Sequence, residues 1–180
     1  MTPGKIRLRE IPADAMTAEQ KAAAARISAM IHGLHGPYAV WIQRPNLAEA
    51  MLGVLRAIRD DGVLPRRMRM MATITMIRHW GADYAWGVNK PLALDAGVPE
   101  SVVEAVENRQ KPFFNDANDE LAYTVAVELL NERKLSDETF DRAQSVLGDE
   151  QLTELVSTVG YFSAVALTVV AYDIKARTYS

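Results

Sequence analysis

Arg78-His79-Trp80-Gly81-Ala82-Asp83-Tyr84-Ala85-Trp86 is the stretch on which the fold turns. Gly81 interrupts a run that is otherwise helical, and the residues on both sides keep helical spacing. Upstream, Met68, Met70, Met71, Ile74, Met76 and Ile77 predict a helix over about Pro65 to His79, with Pro65 suited to its first turn. Downstream, a second helix is expected from about Ala82 to Ala96, with Gly97 placed to end it.

The same punctuation continues outward. Thr17 is a candidate N-cap with Gln20 as its capping-box partner, and apolar spacing carries that helix from Ala22 to Leu34. His35-Gly36-Pro37 stops it. Pro45-Asn46 opens the next helix, which runs to about Asp60 with Leu47, Met51, Leu55 and Ile58 on one side. Val98-Pro99-Glu100 starts a short helix and Asn108 to Asn115 is a loop. Asp116 or Asn118 caps a helix reaching Arg133. Ser136 with Thr139 starts another to Leu147, and Gly148-Asp149 leads into the long final helix. No segment alternates for long with period two. The expectation is an all-α bundle of about six to eight helices, with an irregular N-terminal arm over residues 1–16 and a single domain over 17–180.

Composition narrows the chemistry. The chain of 180 residues has no cysteine, so thiol chemistry, disulfides and thiolate metal sites are excluded. A net charge of -3 with interspersed signs offers no basic patch for nucleic acid. No apolar run follows the first charged residues, so no signal peptide is expected, and the absence of disulfides fits the cytoplasm. Leu155 to Tyr172 is uncharged but holds Ser157, Thr158, Gly160, Ser163 and Thr168. It reads as a core or subunit-interface helix rather than a membrane span.

The segment 78–86 resembles the helix-turn-helix core of the carboxymuconolactone decarboxylase and alkylhydroperoxidase D family. Many members read there as a basic residue or serine, a small pair, Tyr-Glu-Trp and then His. Leu94-Asp95-Ala96-Gly97-Val98 resembles the family's following segment. His35-Gly36-Pro37, Arg44-Pro45-Asn46-Leu47, Asp119-Glu120, Glu154-Leu155-Val156 and Gly160-Tyr161-Phe162 fit its other helices in order, over about residues 30 to 175. The resemblance implies an alkylhydroperoxidase D-like bundle that forms homo-oligomers: dimer, trimer or higher. It also implies a proton relay of an upstream acid, a cysteine pair or glutamate, and a histidine. Mapped here, the acid falls on Met70, the cysteine positions on Ala82 and Ala85, and the histidine on Asn89; a late asparagine falls on Val170. Positions 85 and 89 share one helix face, yet methionine and alanine cannot move a proton and asparagine does not titrate. The usual relay is therefore absent, and peroxidase activity goes with the thiolate it needs.

Other residues carry two readings each. Arg78 suits a substrate carboxylate and His79 a general base, or both are cations at a helix C-terminus favoured by its dipole. Asn89 is a neutral donor to a carbonyl or oxyanion, or a residue bonding its own helix. His32 and His35 have a spacing that can hold a metal, but no carboxylate stands beside them and ordinary helix-end roles are the preferred reading. Tyr38, Trp41, Tyr84, Trp86 and Tyr161 line a pocket or fill the core. Glu154 faces the site as a buried acid or sits solvated in a first helical turn. Met70 and its neighbours are core, and would make a pocket apolar and adaptable.

The expected function is a lyase or decarboxylase of altered mechanism, needing neither cofactor nor metal, acting on a small organic acid or lactone. In that reading Arg78 holds a carboxylate, Asn89 a carbonyl, and His79 or a tyrosine moves the proton. Tyr84, Trp86, Met70, Ala85, Glu154 and Tyr161 contact the substrate. The alternative is a non-catalytic protein that binds a hydrophobic small molecule.

Overall fold

The computed structural model describes residues 7–175. Eight helices follow one another: α1 (Ala18–Ile31), α2 (Pro37–Trp41), α3 (Pro45–Arg59), α4 (Arg66–Trp80), α5 (Asp83–Asp95), α6 (Glu100–Glu107), α7 (Ala117–Asn131) and α8 (Asp137–Ala171). No strand occurs among the described residues, and the all-α expectation is met. Within the expected arm, residues 7–16 are irregular; the rest of it, and the last five positions of the expected domain, lie outside the described residues.

α4 is the axis of the molecule. Every residue from Met68 to Ile77 is buried, because α5, α7 and α8 pack around it. A helix enclosed on all sides needs no polar stripe, which is why its methionines and isoleucines follow one another so closely. Two buried polar side chains are tied down locally. Thr75 Oγ1 donates to Met71 O at 2.8 Å, and Arg69 Nη1 donates to Ile58 O at 2.8 Å.

The capping signals are realised. Gln20 N donates to Thr17 Oγ1 while Thr17 N donates to Gln20 Oε1, closing the reciprocal box. Asp116 caps α7 through Asn118 N, and Ser136 caps α8 through Thr139 N. Gly81 ends α4 with φ +68, a left-handed turn that costs glycine nothing. At Gly148 φ is +65 and ψ -179, so α8 is two limbs end to end, as the glycine suggests.

Three boundaries differ from the sequence reading; the simplest is α7, which ends at Asn131, two residues before Arg133. α1 stops at Ile31, three residues early, because His32 takes the left-handed conformation (φ +59). The segment after Gly36 is not merely a stop. Pro37 opens α2, a single buried turn in which Tyr38, Ala39, Val40 and Trp41 enter the core. Here tertiary burial outweighs the weak helical tendency of five residues.

By length and composition α8 is apolar enough to cross a membrane. One side, with Leu155, Thr158, Ala166 and Val169, is sealed in the core, while Val156, Leu167 and Val170 remain exposed.

Candidate functional site

A cavity of about 410 Å³ opens between α4, α5, α8 and the turns around α1 and α2. Its size falls in the range, roughly 300–1,000 Å³, of small-molecule sites. Met70 and Thr73 come from α4, Tyr84, Ala85 and Asn89 from α5, and Tyr161 from α8. Three of the four positions where the family's relay would stand, 70, 85 and 89, thus meet in one space. Ala82, the fourth, is buried but outside the lining. None of the lining residues is acidic, whereas Arg59, Arg66 and Arg69 all reach the wall.

Asn89 has half settled the choice posed by its sequence. Its Nδ2 donates to Ala85 O at 2.9 Å, one turn back on its own helix. That leaves the second amide hydrogen and the carbonyl oxygen for a ligand.

His32 and His35 both line this cavity, and His35 is in contact with a phenol. Its Nδ1 lies 2.7 Å from Tyr84 Oη and its Nε2 lies 3.0 Å from Ile31 O. A carbonyl only accepts, so Nε2 carries the hydrogen, and in the neutral ring Nδ1 accepts from the Tyr84 hydroxyl. With both nitrogens committed, His35 has none left for a metal, and among the described residues no cluster of three or more metal-ligating side chains occurs. The pair depends on Gly36. A Cβ there would stand 2.5 Å from Tyr84 Cε1, and φ is +57.

A second hydroxyl pair lies in the same wall. Tyr38 Oη and Tyr161 Oη are 3.0 Å apart, and both side chains are buried. Burial pushes both phenols up; for Tyr161 the neighbouring Tyr38 adds to the rise, while Arg59 opposes it in each. Both therefore stay protonated donors across the working range of a protein.

The remaining sequence candidates lie elsewhere. Arg78 and His79 sit on a smaller cleft of about 170 Å³ with Thr75, Arg109, Gln110 and Tyr123, and neither lines the larger cavity. Arg78 Nε donates to Glu107 O at 2.7 Å, and its guanidinium lies 5.6 Å from the centre of the Trp86 ring. Trp86 Nε1 donates to Glu107 Oε1 at 2.9 Å, and Lys90 Nζ donates to Glu107 Oε2. This cluster ties α4, α5 and α6 together. His79 is held below its ordinary value by partial burial and by Arg109, so it is neutral near pH 7.

Glu154 is neither a first-turn residue nor part of the cavity wall. It sits within α8, accepts from Val63 N (2.5 Å) and Leu64 N (3.0 Å), and lies 3.8 Å from Arg69 Nη1. It anchors the α3–α4 turn and neutralises the buried Arg69 from behind. Val170 is exposed on α8.

The sequence reading missed His35 as the partner of Tyr84, and missed Arg59, Arg69 and Thr73 altogether. His35 and Tyr84 are 49 residues apart, so no spacing announces them. The one available signal was Gly36 between a histidine and a helix-opening proline, which marks a backbone that something approaches closely.

No family model matches the chain, and no curated protein matches it. Among solved structures it is similar to an uncharacterized peroxidase-related protein from Silicibacter sp. TM1040, with TM-score 0.77 and 11% identity, covering 99% of this chain and 95% of that one. At that identity the likeness is one of fold. What the two share is the all-helical bundle, and this chain carries no cysteine.

Proposed function

We propose that this chain is an acid–base enzyme of lyase or decarboxylase type, acting on a small organic acid or lactone, with the Tyr84–His35 pair as its proton carrier. The single observation behind this is the 2.7 Å contact between imidazole and phenol in a cavity whose relay positions hold Met70, Ala85 and Asn89. Of the wall arginines, Arg66 is paired with Asp95, Arg69 with Glu154 and Arg59 with Asp60, and Arg59 Nη1, outside its pair, suits an anionic group of the substrate.

In a decarboxylation the carbon–carbon bond to the carboxylate breaks and carbon dioxide leaves. The electron pair passes into the neighbouring carbonyl as an enolate. The step starts from the His35 imidazolium: Tyr84 delivers its proton to carbon and takes the Nδ1 proton of His35 in its place, which leaves the neutral Nε2–H ring to be reprotonated from solvent. Asn89 offers its free amide hydrogen to the carbonyl oxygen. Arg78 and His79, on the other cleft, have no part in this scheme.

The enzyme acts as a homo-oligomer in this proposal; the exposed Val156, Leu167 and Val170 on α8 support it as an apolar strip that a second copy covers.

Turnover of a panel of lactones and keto acids tests the assignment. Activity that survives both Tyr84→Phe and His35→Asn would remove the pair from the mechanism. A co-purifying apolar molecule with no turnover on any substrate would return the chain to a binding role.

A further inference from the structure

The Tyr38–Tyr161 pair has more hydrogens than it uses. Two hydroxyls in mutual contact own two hydrogens, and one hydrogen bond between them consumes one. The other must be aimed at a third atom. Thr73, wholly buried in α4, lines the same cavity, and its Oγ1 has no partner. Buried hydroxyls left unpaired are costly, so a native structure that keeps them points to a group that arrives later. Arg59 acts on both phenols from the exposed side of the cavity. Its Nε and Nη2 are committed to Asp60, and Nη1 is not. No acidic side chain lines the space to compete for the hydroxyl donors.

We infer that Tyr38, Tyr161 and Thr73 form an oxyanion subsite in the cavity wall, edged by Arg59, which takes the anionic oxygen of an enolate or phenolate whose apolar body fills the remaining space. Neutral buried donors, fixed before the ligand arrives, favour charge where it develops rather than charge spread over solvent. The hydroxyls act in series. One tyrosine donates to the other, which polarises the outer hydroxyl as it donates to the ligand. The inference rests on the reading of this cavity as a small-molecule site, and deepens it: the reacting species is one that becomes, or is, an enolate.

4-Nitrophenol is the probe, because its visible absorbance separates phenolate from phenol. Wild-type protein should bind it as the phenolate at a pH where the free compound is mostly neutral. The Tyr38→Phe/Tyr161→Phe double variant should bind about tenfold more weakly or worse, with each single variant between. Arg59→Gln, a change at an exposed side chain that leaves folding intact, should shift the bound probe toward the neutral form. Cyclohexanecarboxylate should compete and its amide should not. Binding of the neutral phenol by wild-type protein overturns the subsite. So does a double variant with unchanged affinity, or failure of both probes to saturate at millimolar concentration. Phenolate binding without turnover on any lactone or keto acid keeps the subsite and removes the enzyme. Tyr84-dependent turnover with unchanged nitrophenolate affinity in the double variant does the reverse.

Discussion

The two sides of α4 carry polar clusters of different character. On one side Arg78, Trp86, Lys90, Asp83 and Glu107 satisfy one another: the carboxylate of Glu107 accepts from an indole and an ammonium, and its carbonyl accepts from a guanidinium. On the other side Tyr38, Thr73, Tyr161 and Asn89 keep donors in hand, and His35 and Tyr84 stand in hydrogen-bond contact. A network whose members are all paired resists change and stabilises; one with surplus donors is less stable as it stands and waits for a ligand. The stretch 78–86 that decides the fold belongs mostly to the first kind. Only Tyr84 and Ala85 from it reach the second.

The comparison breaks first at Tyr84. Tyr84→Phe should cost about 10²–10⁴-fold in kcat/KM, the usual worth of a positioned proton carrier, while thermal unfolding stays near wild type. Gly36→Ala comes next. The left-handed φ and the approach of Tyr84 combine to lose about 1–3 kcal/mol of stability, and activity falls as the ring is pushed from His35. Urea unfolding beside a turnover assay would show both losses together.

Asp119→Asn tests pure support. Asp119 is buried and accepts from Arg67 Nε at 2.9 and 3.0 Å, joining α4 to α7. Breaking the pair should cost about 2–3 kcal/mol in urea unfolding, at the low end for buried pairs because Arg67 is partly solvated. Nitrophenolate affinity should not move.

Glu107 gives a smaller, pH-dependent effect. Its hydrogen bond from Lys90, more than that from Trp86, holds its carboxyl below the ordinary value of 4.5. A lowered carboxyl stabilises the fold above that ordinary value, and the gain is lost as pH falls through the lowered one. With a third of the side chain exposed, Glu107→Gln should cost about 1 kcal/mol at pH 7. Wild type and variant should converge in acid unfolding.

Arg78→Ala should have the least effect on chemistry, about threefold or less in kcat/KM, because it truncates a neighbour of Trp86 and nothing in the cavity.

The sequence made the fold legible through local chemistry. Thr17 with Gln20, Ser136 with Thr139, Gly81 and Gly148 each declare a helix end by side-chain reach or backbone freedom, and a crowded apolar run declares α4 as central. The site was half legible. Met70, Ala85 and Asn89 could be placed together by resemblance, and Tyr84 by adjacency. Tyr38 was grouped with Tyr84 and Tyr161 as pocket or core, but His35 and Arg59 could not be placed, because they arrive from the α1–α2 turn and from α3 through packing, and packing between distant segments leaves no period to read. The short helix α2 was read only as a stop, and Tyr38, which opens into the cavity wall from it, lost its context with it. Arg78 and His79 drew attention because they are the chemically expressive residues of the most distinctive segment; the direction in which α4 ends turns them away from the cavity.

Nitrogen-resolved NMR of the imidazole rings tests the proton carrier most directly. The chain has only three histidines, His32, His35 and His79. The neutral His35 ring should be held as the Nε2–H tautomer by Ile31 O, with Nδ1 bare, and in Tyr84→Phe the tautomer should persist while the Nδ1 resonance shifts as it loses the hydrogen bond it accepts, with His32 and His79 unchanged. A hydrogen on Nδ1 of neutral His35 in the wild type, or a ring that ignores the loss of the Tyr84 hydroxyl, would contradict the pair.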